Sequence, residues 1–361
     1  MTKYNPIYLM MILASLLMAC SSDDMPIQHA DGYGYITFSA ETEKTQSRTN
    51  PYESYNPAQH PSTMGVFGYH DLNSASASSS SDNTIFNNEL VSYNPTTETW
   101  QNQNRKKWDD FYQAKSFDFF AYMPQSTAGV TVADGTLSIP FSMPANACYL
   151  TDTKQAPIIC ALPEHKEGTS ASGDEFTFDR VVRFKFDQTL TAYQLHFMLD
   201  GKMNAIRQFR LKSVKLSGNI ATGGTITRSY SYSNNQWTAG NIQWTNLTKD
   251  TKEFAVSSAT TEPLLINSSG YTQWGGTLYM IPDADFQPTI TATYDVEMLA
   301  KDGTVITRKD VSSSIILNKT NFSSLTAGGT AMINPIRILI QPRYLSVLSD
   351  DDAYTGHLLI E

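Results

Sequence analysis

The chain is poor in charge. Asp, Glu, Lys and Arg make up 17% of its 361 residues, against roughly 25% in an ordinary soluble protein. Its 26 basic residues are outnumbered by 35 acidic ones, for a net charge of -9. That excludes nucleic acid as a partner, because phosphate binding needs clustered Lys and Arg. It also excludes electrostatic attachment to an anionic membrane. Histidine is scarce too: His29, His60, His70, His165, His196 and His357 fall at none of the helical spacings that build a metal site. Cysteine is limited to Cys20, Cys148 and Cys160, and Cys148 with Cys160 does not make a zinc pattern. No Gly-x-Ser-x-Gly elbow, Walker loop or dinucleotide fingerprint is present. Asp109-Asp110 and Asp283 with Asp285 read as turn acids, not as a facing pair for general acid and base. The expectation is a protein that is not an enzyme and holds no cofactor.

One apolar run does stand near the N-terminus, over residues 7–19. It is short of the roughly 20 residues that cross a bilayer. It follows Lys3 and ends in small residues, which is the build of a secretory signal. It ends in Leu17-Met18-Ala19, with Cys20 directly behind. This resembles a bacterial lipoprotein box, in which a peptidase cuts before the Cys and the thiol and new N-terminus take lipid. The resemblance implies a signal peptide over 1–19 and a lipidated Cys20. Ser21-Ser22-Asp23-Asp24 resembles the export tag of Bacteroidetes surface lipoproteins and moves the expected location to the outer surface. If Cys20 carries lipid, Cys148 and Cys160 are left as either one disulfide or two buried thiols.

The rest of the chain alternates with a period of two, the mark of half-buried strands. Ile290, Ala292, Tyr294, Val296 and Met298 share one face, with Thr289, Thr291, Thr293, Asp295 and Glu297 opposite. Val182, Phe184 and Phe186 alternate with Arg183 and Lys185, and Leu195, Phe197 and Leu199 with His196 and Met198. Ile336, Ile338 and Ile340 do the same. Turn signals stand at Asp200-Gly201, Gly223-Gly224, Asp302-Gly303 and Gly328-Gly329. Residues 105–112 read as a helical turn. Many short strands with tight turns predict an all-β sandwich class. At this length two domains are the prior. The charged, Gly- and Ser-rich stretch 164–174 places the boundary between 49–172 and 173–361.

Asp350-Asp351-Asp352 has the oxygen density that calcium wants, but a solvated turn accounts for it better. Aromatic residues are 11% of the chain, with tryptophan at 100, 108, 237, 244 and 274. If several were exposed on one face they would make a glycan-binding surface lipoprotein the alternative reading.

The order of segments is familiar. Cys20 is followed by Tyr35-Ile36-Thr37-Phe38-Ser39, then Ser47-Arg48-Thr49, Met64-Gly65-Val66-Phe67-Gly68-Tyr69 and Phe119-Phe120-Ala121-Tyr122-Met123-Pro124. Leu325-Thr326-Ala327-Gly328-Gly329, Ile336-Arg337-Ile338 and Leu345-Ser346-Val347-Leu348 close the chain. This order resembles the fimbrillin-like (Mfa-like) lipoproteins of Bacteroidales, the subunits of type V pili. The resemblance implies two tandem transthyretin-like β-sandwich domains and assembly by strand exchange with other pilus subunits, as a homo- or hetero-polymer. It implies a leader over 20–48 whose strand, with Ile36, Phe38 and Ala40 on one face, leaves after a cut at Arg48. A neighbour's C-terminal segment would fill the groove, through Leu345, Val347, Leu358 and Ile360. The outer membrane, through the lipid, and a host or glycan ligand are the other partners it implies. The family often carries a His where Asp187-Gln188 stands here.

Overall fold

The computed structural model describes residues 34–44, 51–72, 83–111, 113–168, 179–201, 207–258, 263–299, 302–317, 333–342 and 356–360. Among them there is no α-helix; strands dominate, with two short 3-10 turns at Trp108–Phe111 and Thr153–Gln155. The strands of the first half are β1 (Thr37–Glu43), β2 (Tyr52–Ser54), β3 (Thr63–His70), β4 (Thr84–Asn94), β5 (Thr99–Asn102), β6 (Ser116–Met123), β7 (Thr131–Ala133), β8 (Thr136–Ser142), β9 (Ile158–Cys160) and β10 (Glu164–Glu167). The second half adds β11 (Val181–Gln188), β12 (Thr191–Leu199), β13 (Arg207–Ser233), β14 (Gln236–Ala239), β15 (Gln243–Val256) and β16 (Leu264–Ile266). It ends with β17 (Thr272–Met280), β18 (Thr289–Leu299), β19 (Val305–Ile316), β20 (Ile333–Pro342) and β21 (Gly356–Ile360). The all-β class expected from the alternation is therefore the class observed.

The strands form three sheets. The first runs β10-β6-β3-β4-β5-β1-β11-β9, with β2 on β1, and β9 also pairs with β6, so its path closes on itself. The second is β17-β12-β20-β21. The third is β19-β18-β13-β8-β7, with β14, β15 and β16 also on β13. The strands on either side of residue 172 interleave between sheets. β11 joins the first sheet beside β1, and β7 and β8 join the sheet built on β13.

Two large cores result. One lies inside the first sheet and is completed by Leu137, Ile139, Ile226 and Tyr230 of the third. The other is a sandwich. Leu195, Phe197, Trp274, Ile336, Ile338 and Ile340 of the second sheet face Phe209, Leu211, Val214, Ile290, Ala292 and Tyr294 of the third. A small cluster of Met143, Leu150, Ala156, Leu190, Ala221 and Ile281 adjoins the first core through the half-buried Phe141 and Trp244, which pack against both. β13 serves both large cores. Its Phe209 to Ile220 part faces the second and its Ile226 and Tyr230 face the first. At about 3.3 Å per residue a 27-residue strand traces on the order of 90 Å of chain.

By composition Gly223-Gly224 reads as a turn. Instead β13 runs straight through it, with register shifts between Ala221 and Gly223 and between Gly223 and Thr225. The physical reason is crowding. A Cβ on Gly223 would stand 3.2 Å from the Phe141 carbonyl oxygen, and one on Gly224 3.0 Å from that of Thr245. The glycines let β8 and β15 close on both edges of a bulged strand. The Asp302-Gly303 signal does form the β18–β19 hairpin, with Gly303 at φ +83° and the Asp302 carboxylate accepting from the Thr304 amide at 2.9 Å.

Candidate functional site

The candidate site is the slot that holds β1. On one side β1 runs parallel to β11 from Thr37 beside Val181 to Thr42 beside Phe186. On the other it meets β5 through Phe38 and Trp100, and β2 through Glu41, Thr42 and Glu43. Strand alternation decides what points inward: Ile36, Phe38, Ala40 and Thr42 are 2%, 5%, 9% and 0% exposed, whereas Thr37 and Glu41 face solvent. The Phe38 ring stands edge-on to Phe86 at 5.7 Å and parallel to Phe184 at 6.3 Å. Upstream, the Ile36 amide donates to the Lys106 carbonyl at 2.9 Å and the Trp108 amide to the Gly34 carbonyl at 3.1 Å. Arg105 stacks over the Tyr35 ring at 3.8 Å. Downstream, Glu43 Oε2 accepts from the Gln188 amide at 3.3 Å and the Lys44 amide donates to Pro51 at 2.6 Å.

Thr42 is the odd member of the inward row: its hydroxyl is buried without a hydrogen-bond partner. An unpaired buried hydroxyl costs more than a methyl of the same shape. Thr42→Val is expected to raise stability by about 1 kcal/mol, read as a higher denaturant midpoint; a loss would show that a bonded water holds the hydroxyl.

A buried ionic group closes the downstream end. Arg228, on β13, contacts Asp187 of β11 at 2.6 Å, their side chains 12% and 15% exposed. The Tyr52 hydroxyl donates to the other Asp187 oxygen at 2.6 Å. Arg228 and the Tyr230 hydroxyl both donate to the Cys160 carbonyl, at 3.2 and 2.7 Å. Burial works against the Arg228 charge, but the Asp187 carboxylate outweighs it and the guanidinium holds its proton more tightly than usual. Burial first, and then Asp187, push the Tyr52 phenol far above its ordinary range.

A second polar group pins the β13–β14 hairpin to the first sheet. Asp118, the one charge in the apolar run of β6, is 3% exposed. It accepts from the Trp237 indole at 2.8 Å and meets His165 Nδ1 at 2.7 Å. His165 Nε2 faces the Tyr232 hydroxyl at 3.0 Å and Glu167 at 3.4 Å. Burial lowers the His165 pKa, but Asp118 and Glu167 together leave it raised. A His with a raised folded pKa contributes stability that is full below about pH 6.5 and lost as pH rises through the folded value. Thermal stability is thus expected to fall from pH 6.5 upward, and His165→Gln to flatten that limb; an unchanged slope would place the dependence elsewhere. His60 has the opposite sign. Burial alone lowers its pKa to about 4, so its contribution is present above pH 6.5 and lost on the way down.

Of the sequence-predicted residues, the structure brings Ile36, Phe38 and Ala40 together on the core face of one strand segment. Cys20, Arg48, Leu345, Val347 and Asp350-Asp351-Asp352 lie outside the described residues. Leu358 and Ile360 belong to β21, whose backbone pairs with Ile340 and Ile338 of β20. Cys148 and Cys160 are two free buried thiols, each in a different large core. Burial lifts the Cys148 thiol to about 12. Trp100, Trp108 and Trp274 are buried. The half-buried Trp237 and Trp244 give their indole N–H groups to Asp118 and to the Thr189 carbonyl. Asp283 is paired with Lys249 at 2.8 Å. Sequence reasoning missed Arg228 with Asp187, which only the fold brings together. It also missed Asp118, which a lone charge inside Ser116-Phe117-Asp118-Phe119-Phe120 does signal.

No family model matches the chain, and no curated protein sequence matches it. Solved structures do. A fimbrial protein from Bacteroides vulgatus ATCC 8482 is 14% identical, with a TM-score of 0.53 over 91% of this chain and 98% of that one. Proposed cell adhesion proteins from Bacteroides uniformis ATCC 8492 and Bacteroides ovatus ATCC 8483 are 17% and 12% identical, with TM-scores of 0.40 and 0.43. Those two cover 91% and 92% of this chain and 97% of their own, but superpose too loosely to bear on the fold. The chain therefore shares the all-β fold of a Bacteroides fimbrial protein.

Proposed function

We propose that the chain is a structural or adhesive subunit of a surface fimbria, of the fimbrillin-like (Mfa-like) kind, exported as a lipoprotein and assembled by strand exchange. One observation carries this reading: β1 is a separate, N-terminal filler of a core-lined slot. Its partner on the long side, β11, lies far away in sequence, and its covalent link to β2 is the stretch that contains Arg48. In this scheme the lipid on Cys20 holds the precursor at the outer membrane. A cut after Arg48 then frees β1, with Ile36, Phe38 and Ala40. The vacated gap, about 10 Å between β5 and β11, presents unpaired backbone groups over Val182, Phe184 and Phe186. Such an edge captures a strand strongly. The neighbour's strand would come from the C-terminal segment that carries Leu345, Val347, Leu358 and Ile360. The shared fold with a fimbrial protein supports the coarse assignment.

N-terminal sequencing of the chain recovered from surface fibres tests it. A start at Thr49 is the expected result. A start at lipidated Cys20 in assembled fibres, with β1 still attached, overturns the exchange step. Absence from fibres in cells that make them overturns the fimbrial assignment.

A further inference from the structure

We propose that a groove over the Gly223-Gly224 step of β13 binds an uncharged sugar. The inference goes beyond the fimbrial reading and does not rest on it, since the groove residues take no part in the β1 slot.

The groove is a dent that glycine makes. Across the β8-β13-β15 ladder, Ser142, Gly223 and Thr248 stand in one row, and Pro140, Thr225 and Thr245 in the next. Gly223 leaves the middle of the first row empty. A Cβ there would lie 3.2 Å from Ser142 Oγ and 3.6 Å from Thr248 Cβ. The register widens the gap. Between the partners of Gly223 and Thr225, β15 has Asn246 and Leu247 where β13 has Gly224 alone. Asn246 takes this bulge at φ +51°. A bulge re-aims side chains, and Asn246 joins the lining. The cavity measures about 440 Å³, inside the range of roughly 300–1,000 Å³ for small-ligand sites.

The far wall is held in place. Ser126 and Ala128 form it, on the loop after β6. The Ser126 carbonyl accepts from Asn88 Nδ2 at 2.7 Å, and its amide donates to the Tyr122 hydroxyl at 3.0 Å. That hydroxyl donates to Asn88 Oδ1 at 2.7 Å, which closes the loop of bonds. Walls set before the ligand arrives reduce the ordering entropy lost on binding.

The lining chemistry names the ligand class. Ser142, Thr225 and Thr248 offer hydroxyls and Asn246 an amide, and none of these side chains is hydrogen-bonded to another described residue. Such groups both donate and accept, which is what sugar hydroxyls require. Among the described residues no charged side chain lines the groove, so a phosphate or carboxylate finds no counter-charge. Lys249, next to Thr248, is taken by Asp283 at 2.8 Å. A peptide strand finds no open edge on β13 here, because β8 and β15 occupy both sides. Pro140 and Ala128 add an apolar strip for the C–H face of a sugar ring.

Saturation-transfer NMR on the full chain tests this. The probes are the methyl glycosides of glucose, galactose, mannose and N-acetylglucosamine, with glucuronate and glucose 6-phosphate beside them. At least one neutral glycoside is expected to bind with a dissociation constant of about 1–10 mM, as suits one sugar in an open groove. The two charged sugars are expected to receive no saturation. Asn246→Ala with Thr248→Ala, both at exposed positions, is expected to weaken binding about fivefold or more at an unchanged thermal midpoint. Ser142→Ala, on the opposite wall, is expected to weaken it too, and Thr307→Ala on β19 to leave it unchanged. No transfer to any neutral glycoside at about 20 mM overturns the inference. So does transfer that the groove variants leave intact, or that the charged sugars match. Each of these outcomes leaves the fimbrial assignment where it stands.

Discussion

Phe38→Ala is expected to destabilise the full chain by about 3–5 kcal/mol, the usual cost of emptying a buried phenylalanine site. The site has little room to collapse. The ring lies between Phe86 and Phe184, and its backbone is fixed by the β11 ladder and by the contact with Trp100. The lost dispersion contacts therefore stay lost. Urea unfolding followed by tryptophan fluorescence measures the shift, with Glu41→Gln on the exposed face as a control expected within about 0.5 kcal/mol of the parent. A loss under about 1 kcal/mol would mean that Phe38 does not bear on the core, and the slot reading would fall with it.

Arg228→Met should rank next, at about 3 kcal/mol or more, because it strands the Asp187 carboxylate in a largely buried place. The Tyr52 hydroxyl still donates to that carboxylate, and one neutral donor does not replace a guanidinium. The double variant Arg228→Met with Asp187→Leu is expected to recover most of the loss. Breaking a buried pair costs far more than replacing it by apolar groups of similar volume. If the double variant is as unstable as the sum of the two single ones, the pair is not acting as a unit.

The contrast between these two sites shows what the sequence makes legible. The inward face of β1 could be read directly, because alternation at period two is local: Ile36, Phe38 and Ala40 announce their shared face. The same holds for Val182, Phe184 and Phe186, and for Ile290 through Val296. The helical turn expected over 105–112 is present as the 3-10 turn Trp108–Phe111. Pairing is a different matter. Nothing local says that β1 runs beside β11, since parallel neighbours need a long connection and share no turn signal. Arg228 meets Asp187 only because β13 continues past Gly223-Gly224, where the composition reads as a stop. Glycine has two uses, to turn a chain or to let neighbouring backbones close in, and the residues alone do not choose between them. The interleaving of β7, β8 and β11 across residue 172 follows from the same non-local pairings.

β13 has a mechanical consequence. If the chain serves in a fibre, as proposed above, it bears tension, and what yields first depends on how its hydrogen bonds lie to the load. β13 is one backbone common to both large cores. A pull that separates them along the strand is carried by covalent bonds within β13 and loads its flanking ladders with β8, β15 and β18 in shear. Many bonds must then give together, whereas a hinge peptide between two beads would simply extend. The chain is built as a splice, with one long cord running through both knots.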